Sequence, residues 1–93
     1  MARYIIISNL TDEGAKTLKK NPARVKEVNA ELKDMGVNVL DQYAVQGNFD
    51  FLTIVEADET TIAKAVVEIA SRGSIKTVTY KAIRIDEFIH SLK

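Results

Sequence analysis

The 93 residues suffice for one domain, and 13 Lys and Arg balance 13 Asp and Glu for a formal charge of zero. That balance excludes a general electrostatic pull toward nucleic acid or anionic lipid, and the absence of Cys excludes disulfides, thiolate catalysis and zinc–thiolate sites. No apolar run reaches the ~18 residues of a membrane span and no signal-peptide core follows Met1, so the expected partners include neither nucleic acid nor membrane, and the expected compartment is the cytoplasm.

From Arg3 to Ser8 the chain is apolar on both alternating faces, as in a central strand covered on two sides. Thr11 reads as the N-cap of a helix through Lys20, with Asp12 and Glu13 in its first turn and Ala15 and Leu18 facing inward. Pro22 suits the first turn of a second helix capped by Asn21. Val25, Val28, Leu32 and Met35 form its apolar stripe, and Gly36 stops it.

The centre of the chain, Val37 to Ala57, reads as a hairpin. Val37, Val39, Tyr43 and Val45 share one side of its first strand, and Leu40, Gln42, Ala44 and Gln46 share the other. Gly47-Asn48-Phe49-Asp50 reverses the chain, with Gly47 expected at positive φ. In the second strand Leu52 and Ile54 share a side with Asp50, opposite Phe51 and Val55. Asp58 caps a third helix whose stripe is Ile62, Ala65, Val66, Ile69 and Ala70, and Gly73 ends it. Ile75 to Ile83 alternates as a fourth strand, and Asp86 caps a tail helix carrying Phe88, Ile89 and Leu92.

The order βαββαβ plus a C-terminal helix is the ferredoxin-like pattern: one α+β domain over residues 1–93, with a four-stranded antiparallel sheet. A thin core and a single helix layer leave one sheet face bare, so a homodimer or higher oligomer is expected, of the dimeric α/β-barrel type.

Chemistry-bearing residues are sparse. The single histidine, His90, sits near the C-terminus, where exposure is the expectation. No cofactor, metal-ligand set or catalytic constellation can be assembled from the sequence. Lys16, Lys19, Lys20, Arg24 and Lys26 read either as a solvated face or as an anion site in which Arg24 takes part. Asp50 stands before an apolar run, where a carboxylate needs donors; it either fixes the hairpin through turn amides or faces a pocket. Tyr43 and Tyr80 either pack or, with Asp50, line a chamber between subunits.

Met1-Ala2-Arg3-Tyr4-Ile5-Ile6, Thr11-Asp12-Glu13-Gly14, Asn21-Pro22-Ala23-Arg24, Gly47-Asn48-Phe49-Asp50 and Val55-Glu56-Ala57 resemble, in that order, the GYD domain family. Its Gly-x-Tyr/Phe-Asp motif is met by Gly47, Phe49 and Asp50, with Asn48 between. That resemblance implies a small stand-alone α+β protein of undetermined activity. From Val37 to Ile83 the chain is also similar to the effector-binding domain of leucine-responsive regulators. Those domains dimerise through their sheets and bind amino acids between subunits. The helix-turn-helix preceding such domains is absent, so direct DNA binding is not expected.

The expected function is a homo-oligomeric small-ligand-binding or sensing module. Its ligand-binding residues are Arg24, Tyr43, Gly47, Asn48, Phe49, Asp50 and Tyr80. The alternatives are a cofactor-free oxygenase or isomerase, or a purely structural interaction module.

Overall fold

Tyr4, Ile6 and Ser8 alternate with Arg3, Ile5 and Ile7 along β1 (Ala2–Leu10), and the first set is buried beneath the helices. The computed structural model, which describes residues Met1–Lys93, pairs β1 antiparallel on both sides. Its neighbours are β3 (Phe51–Ala57) and β4 (Ile75–Ala82). Adding β2 (Asn38–Ala44) gives the order β2-β3-β1-β4. The two strands apolar on both faces are therefore the central ones, as the alternation predicts.

The sheet is open. β2 and β4 form two free edges separated by the two inner strands, which corrects the dimeric α/β-barrel type expected from sequence. Neighbouring strands twist by only about 20–25° each, so four of them do not curl far enough to bring the outer pair together.

α1 (Asp12–Lys20), α2 (Arg24–Asp34) and α3 (Glu59–Ala70) cover one face. The core between layers is built from Tyr4, Ile6, Val55 and Ala57 of the sheet, Val37 at its margin, and Leu32, Ile62, Ala65 and Ile69 of the helices. No helix is long and apolar enough to cross a membrane.

Several local expectations change. Pro22 ends α1 rather than starting α2. Asn21, pushed out of the helical region as a residue before proline, becomes the C-cap of α1, and α2 begins at Arg24 after Ala23 without a side-chain cap. Within α1, Gly14 is buried and Ala15 is exposed. Thr11 caps α1 as expected, its hydroxyl accepting from the Gly14 amide at 3.1 Å. Gly36 ends α2 at φ 95°, with Gly36 N–H donating to Lys33 and Val37 N–H to Leu32. That double bond is a Schellman closure, and it brings the buried Val37 and Leu32 together. Asp58 occupies the N-cap of α3 without a side-chain bond. Asp86 lies in the first turn of α4 (Ile85–Ser91), whose N-cap is Arg84.

In β2 the register shifts between Val39 and Asp41, leaving Leu40 as a bulge. One extra residue reverses the phase of everything after it, so Val39 and Gln42 face the helices while Tyr43 turns to the opposite face. β2 then stops at Ala44, and residues 45–50 form the connection. Gly47 is not at positive φ.

Candidate functional site

The register defines the uncovered face row by row. Asp41, Ile54, Ile5 and Tyr80 lie side by side across the four strands; Tyr43, Leu52, Ile7 and Val78 form the next row. Tyr43 and Tyr80 are 53% and 52% exposed. They sit on opposite edge strands, three inter-strand spacings or roughly 14 Å apart. The Tyr43 hydroxyl donates to Asp41 Oδ2 at 2.7 Å, and that carboxylate raises the phenol's pKa above its ordinary value. At one end of the face, Arg3 and Glu56 close an ion pair at 3.2 Å.

Gly47, Asn48, Phe49 and Asp50 lie beyond the other end, in the β2–β3 connection. Gly47 and Asn48 are exposed; Phe49 and Asp50 are half-buried. The Asp50 carboxylate accepts from the Leu10 amide at 2.8 Å, and the Asp50 amide donates to the Ser8 carbonyl at 2.9 Å. Its side chain thus extends the β1–β3 pairing past the last ladder residue. It bonds to β1 rather than to amides of its own turn.

Arg24 is on the other side of the sheet altogether. It lines a half-open cleft between α2 and α3 of about 150 Å³, a volume suited to a small apolar group. Ile6, Phe51 and Thr77 floor the cavity, and Leu18, Val28 and Ile69 are among its walls. Two nearly buried hydroxyl residues, Ser8 and Thr53, also line it. Gln42 donates to Thr53 Oγ1 at 3.2 Å and exchanges two bonds with Asn29 of α2, at 2.7 and 3.3 Å.

Along the rim, Glu31 receives Arg24 of its own helix at 3.1 Å and Arg72, just past the end of α3. Arg24 also holds Glu27 at 3.3 Å, and these two glutamates keep its guanidinium above its usual pKa. Arg72 first, and Arg24 after it, hold the Glu31 carboxyl below the usual glutamate range. The rim is therefore a chain of compensated charges rather than a free cationic site.

The residues named from sequence fall into three places: Tyr43 and Tyr80 on the uncovered face, Gly47 to Asp50 at the β1–β3 margin, and Arg24 over the cleft. Other polar groups of the cleft, among them Ser8, Asn29, Gln42, Thr53 and Arg72, with Glu31 on its rim, were not among the site residues expected from sequence. The readable signal was Ser8 and Thr53, hydroxyl residues at core-facing positions of the two most apolar strands.

The GYD domain model matches residues 4–92. A Thermus thermophilus protein, described as a glutamine synthetase and cystathionine beta-lyase binding protein, is 54% identical over 95 aligned residues, spanning all of both chains. Among solved structures, FFRP-DM1 superposes with a TM-score of 0.64 at 22% identity, over 89% of this chain and all of its own. TTHA0845, also from Thermus thermophilus, gives 0.58 at 20% identity, over 90% of this chain and 95% of its own. MtbAldR gives 0.62 at 16% identity, with 89% of this chain lying on 52% of that longer one. At those identities the structures share the fold. The family model and the full-length relative go further: the chain belongs to the GYD domain family.

Proposed function

We propose that this chain is a binding module that self-associates through its uncovered sheet face and engages a metabolic enzyme, of the glutamine synthetase or cystathionine β-lyase kind. The observation carrying the reading is 54% identity, across the entire length of both chains, to a protein described as binding those two enzymes. The geometry agrees with a surface-driven role. Ile5, Ile7, Leu52, Ile54, Val78 and Tyr80 spread across a face no helix covers, and apolar surface of that extent is characteristic of association. Interferometry with immobilised full-length chain tests the reading. Saturable binding of purified glutamine synthetase or cystathionine β-lyase is expected in the micromolar range or tighter, about −8 kcal/mol. Two flat titrations up to roughly a hundredfold higher concentration overturn it.

A second reading, small-ligand binding, is favoured by the cleft between α2 and α3. Its apolar lining with Ser8, Thr53 and Gln42 in reach is the usual composition of a small-molecule pocket. The ligand that fits is small and uncharged, because Arg24 and Arg72 on the rim are matched by Glu27 and Glu31. Phenol is a suitable probe. Saturable shifts of the Ser8, Thr53 and Thr77 amide resonances support the reading, and their absence at millimolar phenol sinks it.

A further inference from the structure

The last helix has no place on its own molecule. Ile85, Phe88, Ile89 and Leu92 recur at spacings of three, one and three, which is one face of a helix. All four are exposed, from 47% at Phe88 to 71% at Leu92, and α4 contains no buried residue. The radius of gyration is 14.1 Å, against roughly 12 Å for a compact chain of this length. The longest axis is 51 Å. α4 stands off the body as an arm after Ile83 and Arg84, at the end of the sheet where Ala82 pairs with Arg3.

We propose that α4 is an exchanged arm: in the self-associated protein it seats its apolar face on the uncovered sheet face of a second copy, and receives that copy's arm in return. The inference rests on the self-association reading above. Area is what favours a second copy. Four strands at about 4.8 Å spacing, over about eight residues of about 3.3 Å each, project a face of roughly 500 Å². A stable pair buries about 800 Å² of accessible surface per partner, which a sheet face of this footprint reaches only marginally. A reciprocal arm adds its own apolar face to what each copy buries, beyond the sheet face already counted. It also shelters the side chains that otherwise leave an amphipathic helix bare in water.

The chain's lack of Cys makes the test direct. One full-length sample carries Phe88→Cys and a second carries Tyr80→Cys; the two are mixed and oxidised. A disulfide-linked heterodimer is expected. Independently, the double variant Phe88→Glu/Ile89→Glu is expected to raise the dimer dissociation constant in sedimentation on the order of 100-fold. The melting temperature of the dilute monomer should stay nearly unchanged, because α4 contributes no residue to the core.

A chain carrying both cysteines that closes intramolecularly at dilution shows the arm folding onto its own sheet, and overturns the proposal. An unaltered dissociation constant in the double glutamate variant overturns it while leaving self-association intact. Normal dimers that lose enzyme binding assign α4 to the enzyme partner and also overturn it. If the unmodified chain stays monomeric at high concentration, arm exchange and the self-association reading fall together.

Discussion

The carboxylate of Asp50 stands 2.8 Å from the amide nitrogen of Leu10, forty residues away in sequence. With the Asp50 amide on Ser8 and its carbonyl accepting from Val45, it ties β1, β3 and the end of β2 at one point. A charged acceptor on a half-buried amide contributes about 1.5–3 kcal/mol. Asp50→Ala is therefore expected to lower the urea-unfolding free energy by about that amount, and Asp50→Asn by roughly half, since it keeps an oxygen acceptor without the charge. Equal stability of Asp50→Ala and the parent chain would mean that the motif aspartate serves something other than the fold.

Gly14 lies against the loop before β4. A Cβ built on it would come 2.0 Å from the Ser74 carbonyl oxygen, which also accepts the Thr11 amide at 3.0 Å. In an open helix, replacing Gly by Ala gains up to about 1 kcal/mol. Here the obstacle is backbone, which cannot swing aside, so Gly14→Ala is expected to destabilise by about 1–3 kcal/mol or more. For a chain of this size that is a fall in melting temperature of roughly 4 °C or more per kcal/mol. An increase would show that the α3–β4 loop yields.

That contact joins residues far apart in sequence and leaves no local trace in it. Apolar residues on both faces of Tyr4–Ile7 and Phe51–Val55 were enough to place two central strands, since edge strands carry more polar positions. The α2 stripe and Gly36 likewise followed from local spacing. The bulge at Leu40 did not, since an inserted residue leaves no mark in a short strand, and it reversed the side assigned to Tyr43. Asp50 was legible as a carboxylate needing a donor, but Leu10 as that donor depends on β1–β3 register. Glu31 and Arg72 meet only because α2 and α3 flank the same cleft, a relation between elements rather than within one.

Glu31 gives the clearest expectation for pH. Arg72 and Arg24 lower its folded-state pKa, so the folded chain binds its proton less readily than the unfolded chain does. The associated stability is complete above the ordinary glutamate pKa of about 4.3 and is lost as pH falls through the lowered folded value. Urea midpoints measured from about pH 6 to about pH 3 are expected to fall more steeply for the parent chain than for Glu31→Gln, whose position 31 does not titrate. Superimposable pH profiles would place the Arg24–Glu31–Arg72 chain among surface pairs with no measurable contribution.

Two hydroxyls are buried without a partner, Tyr4 Oη and Thr79 Oγ1. They belong to neighbouring strands: Thr79 is opposite Ile6 and Lys81 opposite Tyr4, so both project toward the helix layer. An unpaired buried hydroxyl costs about 1–3 kcal/mol relative to an apolar group of the same shape. Thr79→Val keeps the branched shape and the strand preference while removing the oxygen, and is expected to raise stability by about 1 kcal/mol. Tyr4→Phe should act in the same direction, opposite to the usual loss when a core tyrosine gives up its hydroxyl. The two sites are close enough to couple, so the double variant separates the cases. Additive gains in urea midpoint mean each oxygen is separately unsatisfied. A loss in both single variants, recovered in the double, means the two hydroxyls satisfy one another in solution.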